Sequence, residues 1–150
     1  MAHVIYGAIV GLAVLVALQD HPPGAWETVA ILSGTALAVG LADVYSEAVG
    51  AEVRTRQRIA SGQLRVLGAE ALAVAFGAGF PAVFFVAAGL GALSVESAFT
   101  LARWCGLGLI CVYGFLGARL SGANTGRAVL EAAAVGAIGG FLIALKGLVH

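Results

Sequence analysis

Charged side chains are scarce in this sequence: aspartate, glutamate, lysine and arginine make up only 11% of its 150 residues, whereas hydrophobic residues make up 61%. The mean hydropathy is +1.01, and the long apolar runs lack the polar outer faces that helices of a soluble bundle require. The formal net charge is zero, so the charge balance does not indicate nucleic-acid binding. The composition therefore predicts an integral membrane protein, whose solvent is lipid or other helices.

Sequence motifs of catalysis are also absent. There is no nucleophile elbow, no phosphate-binding loop and no CxxC pair, so we predict that the protein is not an enzyme and uses no cofactor. Cys105 and Cys111 lie six residues apart in one apolar segment and point to different sides of a helix, which excludes a local disulfide. The N-terminal segment lacks the basic region and cleavage site of a secretory signal, so residues 4–18 are expected to remain as a first span.

Prolines are few, and their positions predict two breaks. Pro22 and Pro23 end the first apolar run, and Pro81 predicts a helix kink inside the third run, in GAGFPAVFF. The sequence thus predicts an all-α membrane protein with a single transmembrane domain over residues 1–150. Its five predicted transmembrane helices cover residues 4–18, 29–49, 66–93, 97–118 and 128–149. The second helix is expected to continue past residue 49.

Arginines define the predicted orientation of these spans. With five spans, the loops after the second and the fourth lie on the same side as the N-terminus. These regions carry a basic rim of six residues, namely Arg54, Arg56, Arg58, Arg65, Arg119 and Arg127. Because basic residues favour the cytoplasmic side, we predict a cytoplasmic N-terminus and an external C-terminus, in the plasma membrane for a bacterial protein.

Small residues at helical spacing predict close helix packing. Gly7 and Gly11 share one face of the first span, and Gly136 and Gly140 share one face of the fifth. In a bilayer such faces let helix backbones approach closely. We therefore predict a homodimer that packs through them.

The main functional signal is a group of acidic residues in apolar segments. Asp43 and Glu47, in LADVYSEAVGAEVRTRQR, lie four residues apart and share one face of the second span. Asp43 lies about 9 Å from the inner end of that span, and a carboxylate at such a depth costs about 2.5–3.5 kcal/mol on insertion scales. Glu70 falls in the cytoplasmic half of the third span. These acids require a cavity, a cation or an ionic partner.

Two interpretations of these acids remain open. In the functional one, Asp43, Glu47 and Glu70 line an ion path, and Asp43 and Glu47 bind a divalent metal cation through hard oxygen ligands. In the structural one, arginines neutralise the acids, in the pairs Glu131 with Arg127, Glu70 with Arg65, and Glu47 with Arg54. Nearby arginines explain the burial of Asp43 least well.

The remaining polar residues carry weaker signals. Arg103 lies beside Trp104 in the fourth span, where its long side chain can reach the outer headgroups. The three histidines, His3, His21 and His150, are terminal or in a loop and show no metal-ligand spacing, so the sequence assigns none of them a site.

Three stretches resemble the vacuolar iron transporter family. ALAVGLADVYSEAVGAEVRTRQR resembles its second helix, GAGFPAVFF is similar to its Gly-x-x-x-Pro element in the third helix, and LGARLSGANTGRAVLEAAAVGAIGGFLIALKGLV is similar to its fourth loop and fifth helix. The resemblance implies five spans with the N-terminus inside. It also implies a homodimer with the translocation path at the subunit interface, and metal–proton exchange.

The chain departs from that family at positions that concern the metal. The first span contains no aspartate, Glu47 stands where the family has a methionine after Ser46, and Ala51 displaces the acid expected after Gly50 to Glu52. The loop before the third span is too short for the acidic metal-collecting domain of some members. A carboxylate in place of a thioether is expected to shift the preference from iron toward harder or different cations.

Together these observations predict a membrane transporter for divalent metal cations such as iron or manganese, working by exchange with protons. The alternative belongs to another class: a non-transporting membrane scaffold or accessory subunit. Its basic cytoplasmic face, formed by Arg54, Arg56 and Arg58, would bind anionic lipid or a cytoplasmic partner.

Overall fold

The computed structural model of the chain describes residues 2–19, 21–56 and 61–120, together with positions 122, 124–126, 129–130, 133–134, 137 and 141. Over these residues the chain forms helices and turns and contains no strand, which confirms the all-α prediction for this part. Its delimited helices are α1 (Ala2–Leu18), α2 (Ala25–Thr55), α3 (Ser61–Gly79), α4 (Ala82–Gly89) and α5 (Val95–Leu120).

Two of these helices are long and apolar enough to cross a membrane. They are α2, with 31 residues, and α5, with 26. The pair of α3 and α4 supplies a third if the bend between them lies within one span, and α1 is a shorter apolar helix. Helix length thus agrees with the membrane character indicated by the composition. The five-span topology and its orientation stay predictions.

The predicted spans correspond to these helices in most cases. Residues 4–18 lie within α1, residues 29–49 within α2, and residues 97–118 within α5. The predicted continuation of the second helix is confirmed, since α2 runs to Thr55 and ends at Arg56 in the left-handed conformation, with φ 53°. The predicted span over residues 128–149 lies largely outside the described residues.

The third predicted span is broken at Pro81. The helix stops at Gly79 and resumes at Ala82, and the two parts are bent by 49°. Pro81 has no N–H to donate, and the N–H of Val83 turns instead to the carbonyl of Phe80 at 3.3 Å. The predicted kink is therefore confirmed, and the bend divides the predicted span over residues 66–93 into α3 and α4.

The closest helix contact joins α1 to α3 through glycines. A Cβ atom at Gly7 would overlap the carbonyl oxygen of Val74, and one at Gly11 would lie 2.7 Å from the carbonyl oxygen of Ala78. On the other helix, Gly77 faces α1 in the same way. The close helix packing predicted for Gly7 and Gly11 is found within one chain, where α3 covers this face of α1. The homodimer contact predicted through these two glycines is therefore not supported, and Gly136 and Gly140 lie outside the described residues.

A cluster of large apolar side chains closes the bundle away from the N-terminus of α1. Leu15, Leu32, Phe85 and Phe99 are buried together where α1, α2, α4 and α5 meet. The rings of Phe85 and Phe99 pack edge to face, with centroids 4.7 Å apart. This core holds the helices at one end and leaves the opposite end to smaller and polar side chains.

The outer face of α2 is apolar. Leu37, Leu41 and Tyr45 follow one another at intervals of four residues and are 66–73% exposed. Such a row on the outside of a helix is expected where lipid or another chain, and not water, is the neighbour.

We predict that Gly7→Ala destabilises the protein by about 1–3 kcal/mol, because the added methyl group forces α1 away from the backbone of α3. Gly34→Ala is the matched control, since Gly34 is also helical but has no atom within 4 Å of its Cβ position. Unfolding midpoints in mild detergent, followed by circular dichroism, measure the difference. Equal midpoints for the two variants would contradict the close-packing interpretation.

Candidate metal-binding site

Helix direction brings the acids of α2 and α3 to one end of the bundle. Gly40 lies against Ala71, and Gly79 lies against Ala36, so α2 and α3 run antiparallel. Residues late in α2 therefore lie beside residues early in α3. Glu47 and Glu70 meet at that level.

The glycine contact between α1 and α3 brings a third polar residue to the same place. His3 precedes Gly7 by four residues and Glu70 precedes Val74 by four, so each shares a helical face with a residue of the contact. Because Gly7 touches Val74, the side chains one turn earlier on both helices also become neighbours. His3 consequently lies beside Glu70.

One ligand atom from each of His3, Glu47 and Glu70 lies within 4.8 Å of the other two. The His3 Nε2 atom is 3.7 Å from Glu47 Oε1, a contact that becomes an ion pair when the imidazole is protonated. All three residues are partly buried. The cluster therefore joins three helices through side chains that the protein does not fully enclose.

This donor set has the chemistry of a divalent metal site. An imidazole nitrogen and two carboxylate oxygens are typical ligands of first-row transition metals, and three protein ligands leave coordination positions for water. With metal–ligand bonds of about 2.0–2.2 Å, the ligand atoms of a tetrahedral site lie about 3.3–3.6 Å apart. The three side chains would therefore have to draw closer together to hold a cation.

Only part of this site was predicted from the sequence. The structure brings Glu47 and Glu70 together, as the ion-path interpretation expected. The structure adds His3 to the cluster. The sequence assigned His3 no site, because no other ligand residue lies near it in the chain at a metal-binding spacing. The available signal was the depth of His3, since the predicted topology places the start of α1 at the level of these acids.

Asp43 lies apart from this cluster. It is not one of the three residues whose ligand atoms converge, although the sequence predicted that Asp43 and Glu47 bind the metal together. Its Oδ2 atom is buried and has no hydrogen-bond partner among the described residues. Asp43 and Glu47 thus lie on one face of α2, but Glu47 contacts His3 whereas the buried oxygen of Asp43 has no partner among the described residues.

The predicted ion pairs with arginine do not form in the part of the chain that can be compared. Over the described residues, the charged contact of Glu47 is with His3, and no arginine lies within 4.0 Å of Glu47 or Glu70. Arg54 instead bends back over Gly50, with its Nη1 atom 3.6 Å from the Cβ position of that glycine. The proposed pair of Glu131 and Arg127 lies outside the described residues.

The described arginines of the basic rim surround the same end of the bundle. Gly106 faces Leu12, and Ile110 packs with Leu12 and Ala8, so α5 runs antiparallel to α1 and ends near the start of α1. The exposed arginines at this end are Arg54, Arg56, Arg65 and Arg119. Arg58 and Arg127 lie outside the described residues.

The other end of the bundle is less charged. A cleft of about 710 Å³ lies between the loop after α1 and the start of α5, lined by Gln19, Pro23, Glu96 and Phe99 among others. Farther along α5, the Arg103 guanidinium carbon is 5.9 Å from the ring centroid of Trp104, whose side chain is exposed. This pairing agrees with the expected position of both residues near headgroups.

No protein-family model, curated protein or solved structure matches this chain. The resemblance to the vacuolar iron transporter family therefore stays a prediction that rests on the three stretches of sequence.

We predict that the purified protein binds Mn²⁺ or Co²⁺, and that His3→Ala and Glu47→Gln each weaken the binding by about tenfold or more, because each removes a ligand. His21→Ala is the control, since His21 is exposed in the loop after α1 at the opposite end of the bundle. Titration by electron paramagnetic resonance of free Mn²⁺ measures the affinity. Equal affinities for all four proteins would show that the cluster is not a metal site.

Proposed function

We propose that this protein is a membrane transporter for divalent metal cations, which it exchanges for protons, and that His3, Glu47 and Glu70 form its first cation site. The observation that supports this proposal most directly is the convergence of three ligand side chains from three apolar helices within 4.8 Å. Carboxylates in apolar helices are costly and are usually found on ion and proton pathways.

The distribution of charge supports a cytoplasmic position for this site. The start of α1, the end of α2 and the end of α5 share one end of the bundle with four exposed arginines. By the positive-inside rule, that end faces the cytoplasm. The proposed topology therefore has five spans with the N-terminus inside, and the cation site opens to the cytoplasm.

The nitrogen ligand refines the proposed substrate. Mg²⁺ and Ca²⁺ are bound almost entirely by oxygen, whereas imidazole suits Mn²⁺, Fe²⁺, Co²⁺ and Zn²⁺. Glu47 alone suggested a shift toward harder cations, but His3 beside it restores a preference for transition metals. The proposed substrate is thus a first-row divalent transition metal.

Exchange with protons follows from the chemistry of the ligands. A metal ion binds the neutral imidazole and the ionised carboxylates, so its binding displaces any protons held by these groups. Release of the metal on the far side allows protons to return to the same groups. A protein that alternates between the metal-bound and the protonated state of these groups exchanges metal for protons.

A homodimer is part of the proposal. The row of Leu37, Leu41 and Tyr45 leaves an apolar face of α2 exposed on the outside of one chain. Helix faces of this kind can pack against a second copy in the bilayer. Cross-linking in lipid vesicles that yields only monomers would remove this part of the proposal and leave the cation site standing.

We expect proteoliposomes to take up Mn²⁺ faster than empty vesicles, with a coupled proton movement that a pH-sensitive dye inside the vesicles reports. Glu70→Gln is expected to slow Mn²⁺ uptake about tenfold or more, because it removes a cluster ligand. Glu52→Gln is the matched control, since Glu52 is an exposed acid of α2 outside the cluster.

Equal Mn²⁺ flux in protein-containing and empty vesicles would overturn the transport proposal. The alternative of a scaffold or accessory subunit would then be favoured, because exposed Arg54, Arg56 and Arg65 form a basic surface suited to anionic lipid. Sedimentation with vesicles of different anionic lipid content would test that surface directly.

A further inference from the structure

Asp43 has no use in the first cation site, yet its position is costly. It lies one turn from Glu47 toward the middle of α2, about 6 Å farther along the helix axis. Its Oδ2 atom is buried and makes no hydrogen bond to any described residue. A buried carboxylate oxygen without a partner is strongly unfavourable, so it requires an occupant that the described residues do not supply.

The charged groups around Asp43 do not provide that occupant. Among the described helices, α3 lies against this part of α2 at Gly40, and α1 reaches it at His3. Among the described residues, they carry four charged or titratable groups at this end, namely His3, Tyr6, Arg65 and Glu70, and α2 itself carries Tyr45, Glu47, Glu52 and Arg54. None of the described cationic groups lies within 4.0 Å of an Asp43 oxygen, and His3 is engaged with Glu47.

We propose that Asp43 is a second cation station, which receives the divalent metal from the cluster of His3, Glu47 and Glu70 as the ion moves toward the middle of the membrane. This inference rests on the proposed function, because it needs a moving cation. A path of weak successive sites lets an ion enter and leave, whereas one tight site would retain it. Asp43 thus acts in movement and not in the first binding step.

The geometry separates the two stations. Asp43 offers no ligand atom that lies within 4.8 Å of all three cluster atoms. Asp43 and Glu47 nevertheless share a helix face, so the step between them follows α2 without crossing another helix. The station offers one buried carboxylate oxygen, a hard ligand that fits a divalent cation still carrying water.

The test compares Mn²⁺ binding and Mn²⁺ uptake in Asp43→Asn, which keeps the shape of the side chain and removes its charge. We expect Mn²⁺ binding to the cluster within about twofold of the wild-type protein and uptake slower by about tenfold or more, because only the second station is lost. Asp43→Glu restores a carboxylate and should recover most of the uptake. Asp43→Ser replaces Asp43→Asn if the latter does not fold, as judged by circular dichroism.

Each other result decides against the second station. Uptake by Asp43→Asn equal to wild type would show that Asp43 lies off the path, and loss of both binding and uptake would show that Asp43 belongs to the first site. Failure of Asp43→Glu to recover any uptake would indicate a purely structural role. If the wild-type protein takes up no Mn²⁺, the proposed transport function fails and this inference fails with it, a result distinct from a defect confined to Asp43 variants.

Discussion

The contact between the backbones of α1 and α3 is the constraint on which the polar end of this bundle depends. Within lipid, burial of apolar surface does not draw helices together, so close packing and polar contacts must do so. Gly7 allows its helix to touch the Val74 carbonyl, and this contact sets how far α1 slides along α3. The level of His3 relative to Glu70 is a direct result. A larger residue at Gly7 would move α1 away from α3. It would thereby also move His3 away from Glu70.

The two faces of α2 differ in polarity. Its outer face carries Leu37, Leu41 and Tyr45, and its inner face carries Gly40, Asp43 and Glu47. A soluble helix would have the opposite arrangement, with polar residues outside and apolar residues inside. Polar groups turned inward can be joined by water and ions, whereas the outward apolar row is suited to lipid or a second chain. The same helix thus anchors the bundle and carries its polar stripe.

Features that depend on residues close together in the chain were predictable from the sequence. Contacts between side chains of different helices were not. The helical segments and the break at Pro81 follow from local composition and from a missing N–H, and both appear in the structure. The pairs of Glu47 with Arg54 and Glu70 with Arg65 do not form over the described residues, since seven and five residues along a helix are not the spacings that bring side chains together. His3 was missed because its ligand neighbours are 44 and 67 positions away in the chain.

The shortness of α1 has a consequence for the surrounding bilayer. With 17 residues, α1 is about 26 Å long, whereas the hydrocarbon region is about 30 Å thick. In a membrane this mismatch is relieved when lipids beside α1 compress or when the helix end is drawn below the headgroups. His3 lies at that end, so thinner lipid there would shorten the low-dielectric barrier in front of His3, Glu47 and Glu70. In the proposed transporter, this would ease the entry of a cation.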